Sequence, residues 1–126
     1  MQPTTVVAAV IEREGRVLIA QRKRTGQHPL KWEFPGGKVE AGEAPEAAVA
    51  RELEEELAIQ VRVDGEITRY EYQYPGRPPI LLIFYSVAEF DGEPKNLDFE
   101  QIVWAPRGHL GEYDFLEGDA EFIRSY

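Results

Sequence analysis

Only one stretch of the chain, Pro45 to Leu57, reads firmly as helix, while most of what surrounds it reads as strand. Ala47 to Leu57 consists of good helix formers throughout. Pro45 sits where the first helical turn makes no use of a backbone N–H, and Glu43 and Glu46 lie near that turn's positive end. Upstream, Thr4 to Ile11 is β-branched and continuously apolar, which predicts a strand buried on both faces. Val17 to Ala20 predicts a second strand, joined to the first through Glu14-Gly15 as a hairpin. Gln21 to Lys31 is polar and basic and reads as a loop. Trp32-Glu33-Phe34 then runs into Pro35-Gly36-Gly37, a strong backbone break. Downstream, Ile59 to Val63 and Ile67 to Tyr74 alternate as strands, Pro75 to Pro79 turns, and Ile80 to Val87 returns. A turn at Asp91 to Pro94, a short strand at Ile102 to Trp104 and a final helix over Asp119 to Tyr126 complete the prediction. The 126 residues show no linker and no repeat. This pattern predicts a single domain over 1–126, of the α/β (α+β) class with a mixed sheet.

Composition removes several chemistries. There is no cysteine, so disulfides, thiolate metal sites and a cysteine nucleophile are excluded. His28 and His109 are the only histidines, too few for a multi-histidine zinc site. Acids number 23 against 14 bases, a net charge of −9. That balance argues against a polymeric nucleic acid partner, whose affinity rests on Lys and Arg. A small phosphorylated ligand is still allowed, because divalent cations bridge two negative partners. The first apolar run, Val6 to Ile11, is too short to span a membrane and lacks the features of a secretory signal. A cytoplasmic protein with no membrane partner is therefore expected. Nothing in the residue pattern chooses between monomer and homodimer.

The informative segment is Arg51-Glu52-Leu53-Glu54-Glu55-Glu56-Leu57. At about 100° per residue, Glu52, Glu55 and Glu56 fall on one flank, beside the apolar arc of Val49, Leu53 and Leu57. Glu54 points away from both. Glu52 and Glu56 are like charges at i,i+4, which destabilises a helix by about 0.2–0.5 kcal/mol. All these acids also crowd the negative end of the helix dipole, where cations are preferred. Such violations of local rules concentrate at functional sites. Clustered carboxylates without Cys or His suit Mg²⁺ or Mn²⁺. The paired glycines before the helix allow backbone to approach a ligand or metal closely.

Gly37, Glu43 six positions on, and Arg51-Glu52-Leu53-x-Glu55-Glu56 together resemble the Nudix box, a signature running here from Gly37 to Ile59. One position departs: Ala58 stands where the family usually has the glycine that ends the helix. Trp32 to Glu40, Val6 to Ile11 and the hairpin from Tyr70 to Tyr85 look like the MutT-type branch, which hydrolyses nucleoside triphosphates. The resemblance implies an α/β/α sandwich around a mixed sheet and Mg²⁺-dependent hydrolysis to a nucleoside monophosphate and pyrophosphate. It extends to the sanitising of oxidised nucleotides such as 8-oxo-dGTP. The alternatives are another Nudix activity, on CTP, ADP-ribose or dinucleoside polyphosphates, or a non-catalytic nucleotide-binding module.

Carried over by position, the resemblance makes Glu52, Glu55 and Glu56 metal ligands together with the backbone carbonyl of Gly36. Arg51 would orient the carboxylates, pairing with one of them or with Glu43. Arg22 would contact substrate phosphates. Glu52, or an acid before the last strand (Asp98 or Glu100), would serve as base. Phe34 and Asp119 would meet the nucleobase, although Asp119 reads equally well as a helix cap. Trp32, Trp104, Tyr72 and Tyr74 are expected to pack rather than to stack on a base.

Overall fold

The computed structural model describes residues 3–126. Strand β1 (Thr4–Arg13) is the spine of the fold. It pairs in parallel with β6 (Ile80–Asp91), from Thr4 opposite Ile80 to Ile11 opposite Val87. On its other edge it pairs antiparallel with the short β4 (Gly36–Lys38) and, at its far end, with β2 (Arg16–Gln21). β3 (Trp32–Glu33) and β7 (Gln101–Pro106) flank β2, and β5 (Gln60–Tyr72) lies outside β6. The path β3-β2-β1-β6-β5 is a mixed sheet, as the sequence predicts.

β1 is buried on both faces because alternate side chains enter two different cores. Val7, Ala9 and Ile11 pack with Val49, Leu53 and Leu57 of α1 (Pro45–Leu57). Ala8 and Val10 pack with Phe34, Phe84 and Phe122 on the opposite face. That face is covered by a 3₁₀ turn (Arg107–Glu112) and by α2 (Glu117–Ile123). The layering is therefore helix, sheet, helix.

Several boundaries differ from the sequence reading. The two strands expected between residues 59 and 74 are one continuous β5, paired with β6 through three register irregularities. These interrupt the side-chain alternation on which the sequence reading relied, so one strand looks like two. The last helix begins at Glu117 and ends at Ile123, earlier at both ends than expected. Ala58 does adopt the left-handed conformation (φ 58°, ψ 36°) usually given to glycine, with its N–H donating to Glu54 O. The carbonyls freed there are met from outside: Lys95 N donates to Leu57 O at 2.8 Å and Leu97 N to Glu56 O at 3.1 Å. Among the described residues no helix is long and apolar enough to cross a membrane.

Candidate active site

β4 and α1 are held together by the absence of side chains. A Cβ on Gly36 would fall 2.0 Å from Val7 O, so only glycine lets β4 lie against β1. A Cβ on Gly37 would fall 2.6 Å from the Glu52 carboxyl carbon, so this glycine makes room for that side chain. Arg51 then gathers the acids around it. Its Nε and Nη2 donate to the two Glu43 oxygens at 2.8 and 3.0 Å, a bidentate pair. Nη1 donates to Glu52 Oε1 at 2.9 Å and to Glu55 Oε2 at 3.4 Å, and Nη2 also reaches Lys38 O. The spacing of Glu43, Arg51, Glu52 and Glu55 along the chain is thus one ion-pair network. Arg51 is pushed to still higher pKa, first by its hydrogen bond to Glu43, while the same bond pulls Glu43 down.

Glu56 points the other way, into the protein. Its Oε1 is buried without a hydrogen-bond partner among the described residues. Burial pushes its pKa up to about 9, and the charges of Glu52, Glu33 and Asp98 push in the same direction, against the Gly36 amide. Glu52 is raised chiefly by burial. Glu33 is raised by burial too, against the attraction of Arg22. A cleft of about 260 Å³ opens here, lined by Glu33, Gly36, Glu56, Asp98 and Arg22. Asp98 is thus placed with the acids, whereas Glu100 is held by Arg24 at 3.2 Å and does not line the cleft. Glu55 is largely exposed.

Among the described residues no three acidic or imidazole side chains already converge closely enough to hold a metal ion. The donor chemistry nevertheless fits a hard divalent cation. The donors are all oxygens, and one buried carboxylate oxygen lacks any partner. A buried charge in that position needs a cation or a proton to be stable.

A larger cleft of about 400 Å³ adjoins the first and shares Arg22, Gln27 and Glu33 with it. Among its lining residues Phe34 and Asp119 are buried, and the half-buried Tyr74 lies in the same wall. Asp119 Oδ2 accepts the Phe34 N–H at 3.0 Å. Burial pushes Asp119 up to about 7, opposed by the Phe34 amide. The helix-cap alternative does not hold: Leu116, not Asp119, is the N-cap of α2, and the Asp119 carboxylate is bonded to the Phe34 amide instead. Phe34 packs among Phe84, Phe115 and Phe122. Arg22 lines both clefts, but its guanidinium is engaged with Gln27 O at 2.9 Å and Glu33 Oε1 at 3.1 Å.

The remaining aromatic residues divide as expected, with one exception. Trp32 is buried edge-on against Tyr113, and Trp104 stacks on Phe90 beneath Arg13. Tyr72 packs on Tyr74, but Tyr74 itself lines the cleft. Sequence reasoning also missed Glu33. The available signal was its position between Trp32 and Phe34, two aromatic residues that the core takes up. Arg77 lines the cleft from within a segment that read only as a turn.

Similarity to known proteins covers the whole chain. The NUDIX domain matches residues 1–126. The CTP pyrophosphohydrolase of Escherichia coli (strain K12) is 33% identical over 126 residues, 100% of this chain and 93% of that protein. The 8-oxo-dGTP diphosphatase of Haemophilus influenzae is 38% identical over 120 residues, 94% of this chain and 87% of that protein. The solution structure of the E. coli ORF135 protein superposes with a TM-score of 0.88 at 34% identity, covering 98% of this chain and 88% of that one. The chain belongs to the NUDIX domain family.

Proposed function

We propose that the chain hydrolyses a nucleoside triphosphate to the monophosphate and pyrophosphate, and that oxidised guanine nucleotides such as 8-oxo-dGTP are its substrate class. One observation carries the reading: two clefts share Arg22, Gln27 and Glu33, and one ends on a buried carboxylate among aromatic residues, the other on clustered acids. A nucleotide laid along both sets its base beside Asp119 and its phosphates beside the acids. The relatives that act on 8-oxo-dGTP and on CTP support the same class. The net charge of −9 favours a small ligand over a nucleic acid polymer.

Nudix hydrolases generally use a divalent metal. Glu52, Glu55, Glu56 and the Gly36 carbonyl would hold Mg²⁺ (or Mn²⁺), which neutralises phosphate oxygens and lowers the pKa of a bound water. Arg51 keeps Glu52 and Glu55 oriented between turnovers. Arg22 exchanges its contact with Glu33 for a phosphate oxygen. Glu52 or Asp98 accepts the proton of the attacking water. Asp98 is preferred to Glu100, which Arg24 holds outside the cleft. As a carboxylate, Asp119 accepts from guanine N1–H and N2–H₂, with the Phe34 amide fixing its orientation. A cytosine amino group meets the same acceptor, which is the ground for CTP as the second reading.

The test is a panel of nucleoside triphosphates, 8-oxo-dGTP, ADP-ribose and a dinucleoside polyphosphate, incubated with Mg²⁺ and with excess EDTA. The expected result is pyrophosphate and monophosphate from the triphosphates, abolished by EDTA. Full turnover in chelator, or cleavage of ADP-ribose alone, refutes the proposal.

A further inference from the structure

Helix α2 has no cap of its own. Leu116 stands at its N-cap with an apolar side chain that offers no acceptor; the Asp119 and Ala120 N–H groups donate to its carbonyl, and the Gly118 N–H has no such intrahelical partner. Tyr74 supplies the missing acceptor: the Gly118 N–H donates to its hydroxyl at 2.9 Å. The carbonyl of the same residue accepts a hydrogen bond from the Tyr70 hydroxyl. Tyr70 lies in β5 and Tyr74 two residues beyond its end, so an even spacing aims both rings at the same side. Gly118 is thus gripped at both its N–H and its C=O by two tyrosines.

The grip leaves no space for a side chain. A Cβ on Gly118 would lie 2.9 Å from the Tyr74 hydroxyl oxygen and 2.9 Å from Leu82 Cδ1. The next residue is Asp119, which lines the nucleobase cleft and is tied on its other side to the Phe34 amide. A seven-residue helix is marginal by itself, so external tethers set its position. The tyrosine hydroxyls also lie within electrostatic reach of Asp119. Burial raises both their pKa values, Tyr74 to about 12, and the charge of Asp119 adds to each.

We propose that Tyr70 and Tyr74 are positioning residues that, by gripping Gly118, set the depth of Asp119 in the cleft and thereby tune discrimination among nucleobases. The proposal rests on the reading of Asp119 as the group that meets the base. Hydrogen-bond readout depends steeply on distance and angle, so a carboxylate displaced by a fraction of an ångström loses selectivity before it loses binding. Tyr70 gives the cleaner test, because it does not line the cleft and its hydroxyl meets only α2 backbone, at the Gly118 carbonyl and the Phe122 amide.

The experiment measures kcat and KM with 8-oxo-dGTP, dGTP, dCTP, dTTP and dATP on the parent, Tyr70→Phe, Asp119→Ala and the double variant. Tyr70→Phe should lower the ratio of kcat/KM between the best and worst triphosphate by about 3- to 10-fold. The loss should appear in the KM of the preferred nucleotide. In the Asp119→Ala background Tyr70→Phe should change the ratio no further. Gly118→Ala keeps both hydroxyls and presses a methyl group against Tyr74, and it should reproduce the loss even if Tyr70→Phe fails to fold. If Asp119→Ala lowers the ratio while Tyr70→Phe and Gly118→Ala leave it unchanged, the positioning role is overturned and the base reading stands. The same holds if Tyr70→Phe acts equally in both backgrounds. If Asp119→Ala itself leaves the ratio unchanged, both fall.

Discussion

Replacing Asp119 by asparagine isolates the energetic consequence of burying this carboxylate. The amide keeps an oxygen for the Phe34 N–H but removes the titration. In the folded protein burial raises the pKa of Asp119 from 3.8 to about 7, helped by Glu33 and opposed by the Phe34 amide and Arg22. A carboxyl group whose folded pKa lies above its unfolded value makes folding take up a proton. Its contribution is therefore most favourable below pH 4, declines from there to about pH 7, and is constant above. At about 1.4 kcal/mol per pK unit, the shift amounts to about 4 kcal/mol. The Asp119→Asn variant has no such window, and groups not coupled to Asp119 titrate alike in the two proteins and cancel, leaving its interaction with Glu33 as the smaller remaining difference. The variant should gain about 4 kcal/mol on the parent between pH 4 and pH 8. With unfolding entropy near 2.1 cal/mol/K per residue, that corresponds to about 15 °C in melting temperature at pH 8 relative to pH 4. Urea unfolding of both proteins at the two pH values, with chelator present throughout, measures it. A parent–variant difference independent of pH would refute the argument, since it would mean that Asp119 ionises as it does in the unfolded chain.

Three further outcomes are expected. Glu56→Gln should lower turnover by orders of magnitude while the metal-free protein melts no lower than the parent, because the amide removes a buried acid that folding penalises by holding it protonated; a collapsed fold in far-UV circular dichroism would instead make Glu56 structural. Ala58→Gly should stabilise by about 1 kcal/mol, since relief of left-handed strain outweighs the flexibility added to the unfolded chain, and denaturant titration reads it directly. Asp98→Asn should reduce kcat by about 10²-fold or more and Glu100→Gln by a few-fold at most; steady-state rates that reverse this order would assign the base to Glu100.

The fold was legible where a single local rule dominates. The unbroken apolar run from Val6 to Ile11 announced a strand covered on both faces, and Pro45 with the helix formers after it announced α1. The irregularities in β5 were invisible because a bulge shifts the alternation without leaving a marked residue type. At the site, the Glu43–Arg51–Glu52–Glu55 network was legible because helical spacing alone brings most of it together. Glu33 and Asp98 were not resolved, because neither shares an element with Glu56 and only tertiary packing sets them beside it. The role of Asp119 could not be decided for a related reason. An acid near the start of a helix is the ordinary signature of a cap, and only the Phe34 amide, 85 residues away in sequence, separates the two cases.

The distribution of unfavourable burial itself points to where this protein works. Glu33, Glu52, Glu56 and Asp119 are all raised in pKa with burial as the leading cause, and they line or adjoin the two connected clefts. α1 ends with three consecutive glutamates and no basic residue in its last turn, against its own dipole. Elsewhere the described chain builds two apolar cores, one on each face of the sheet, and the carbonyls at the end of α1 are met by the 95–97 loop. A sequence shaped by stability alone would replace these acids with the apolar or basic residues that their positions favour. Their retention in one continuous groove, beside arginines already engaged with protein acceptors, means that the groove is stabilised most by what enters it. On the proposed function the acids would gain from a cation, and Arg22, now on Glu33, would gain a phosphate in place of a carboxylate. A metal–nucleotide complex supplies both at once, which neither a bare cation nor a bare nucleotide does.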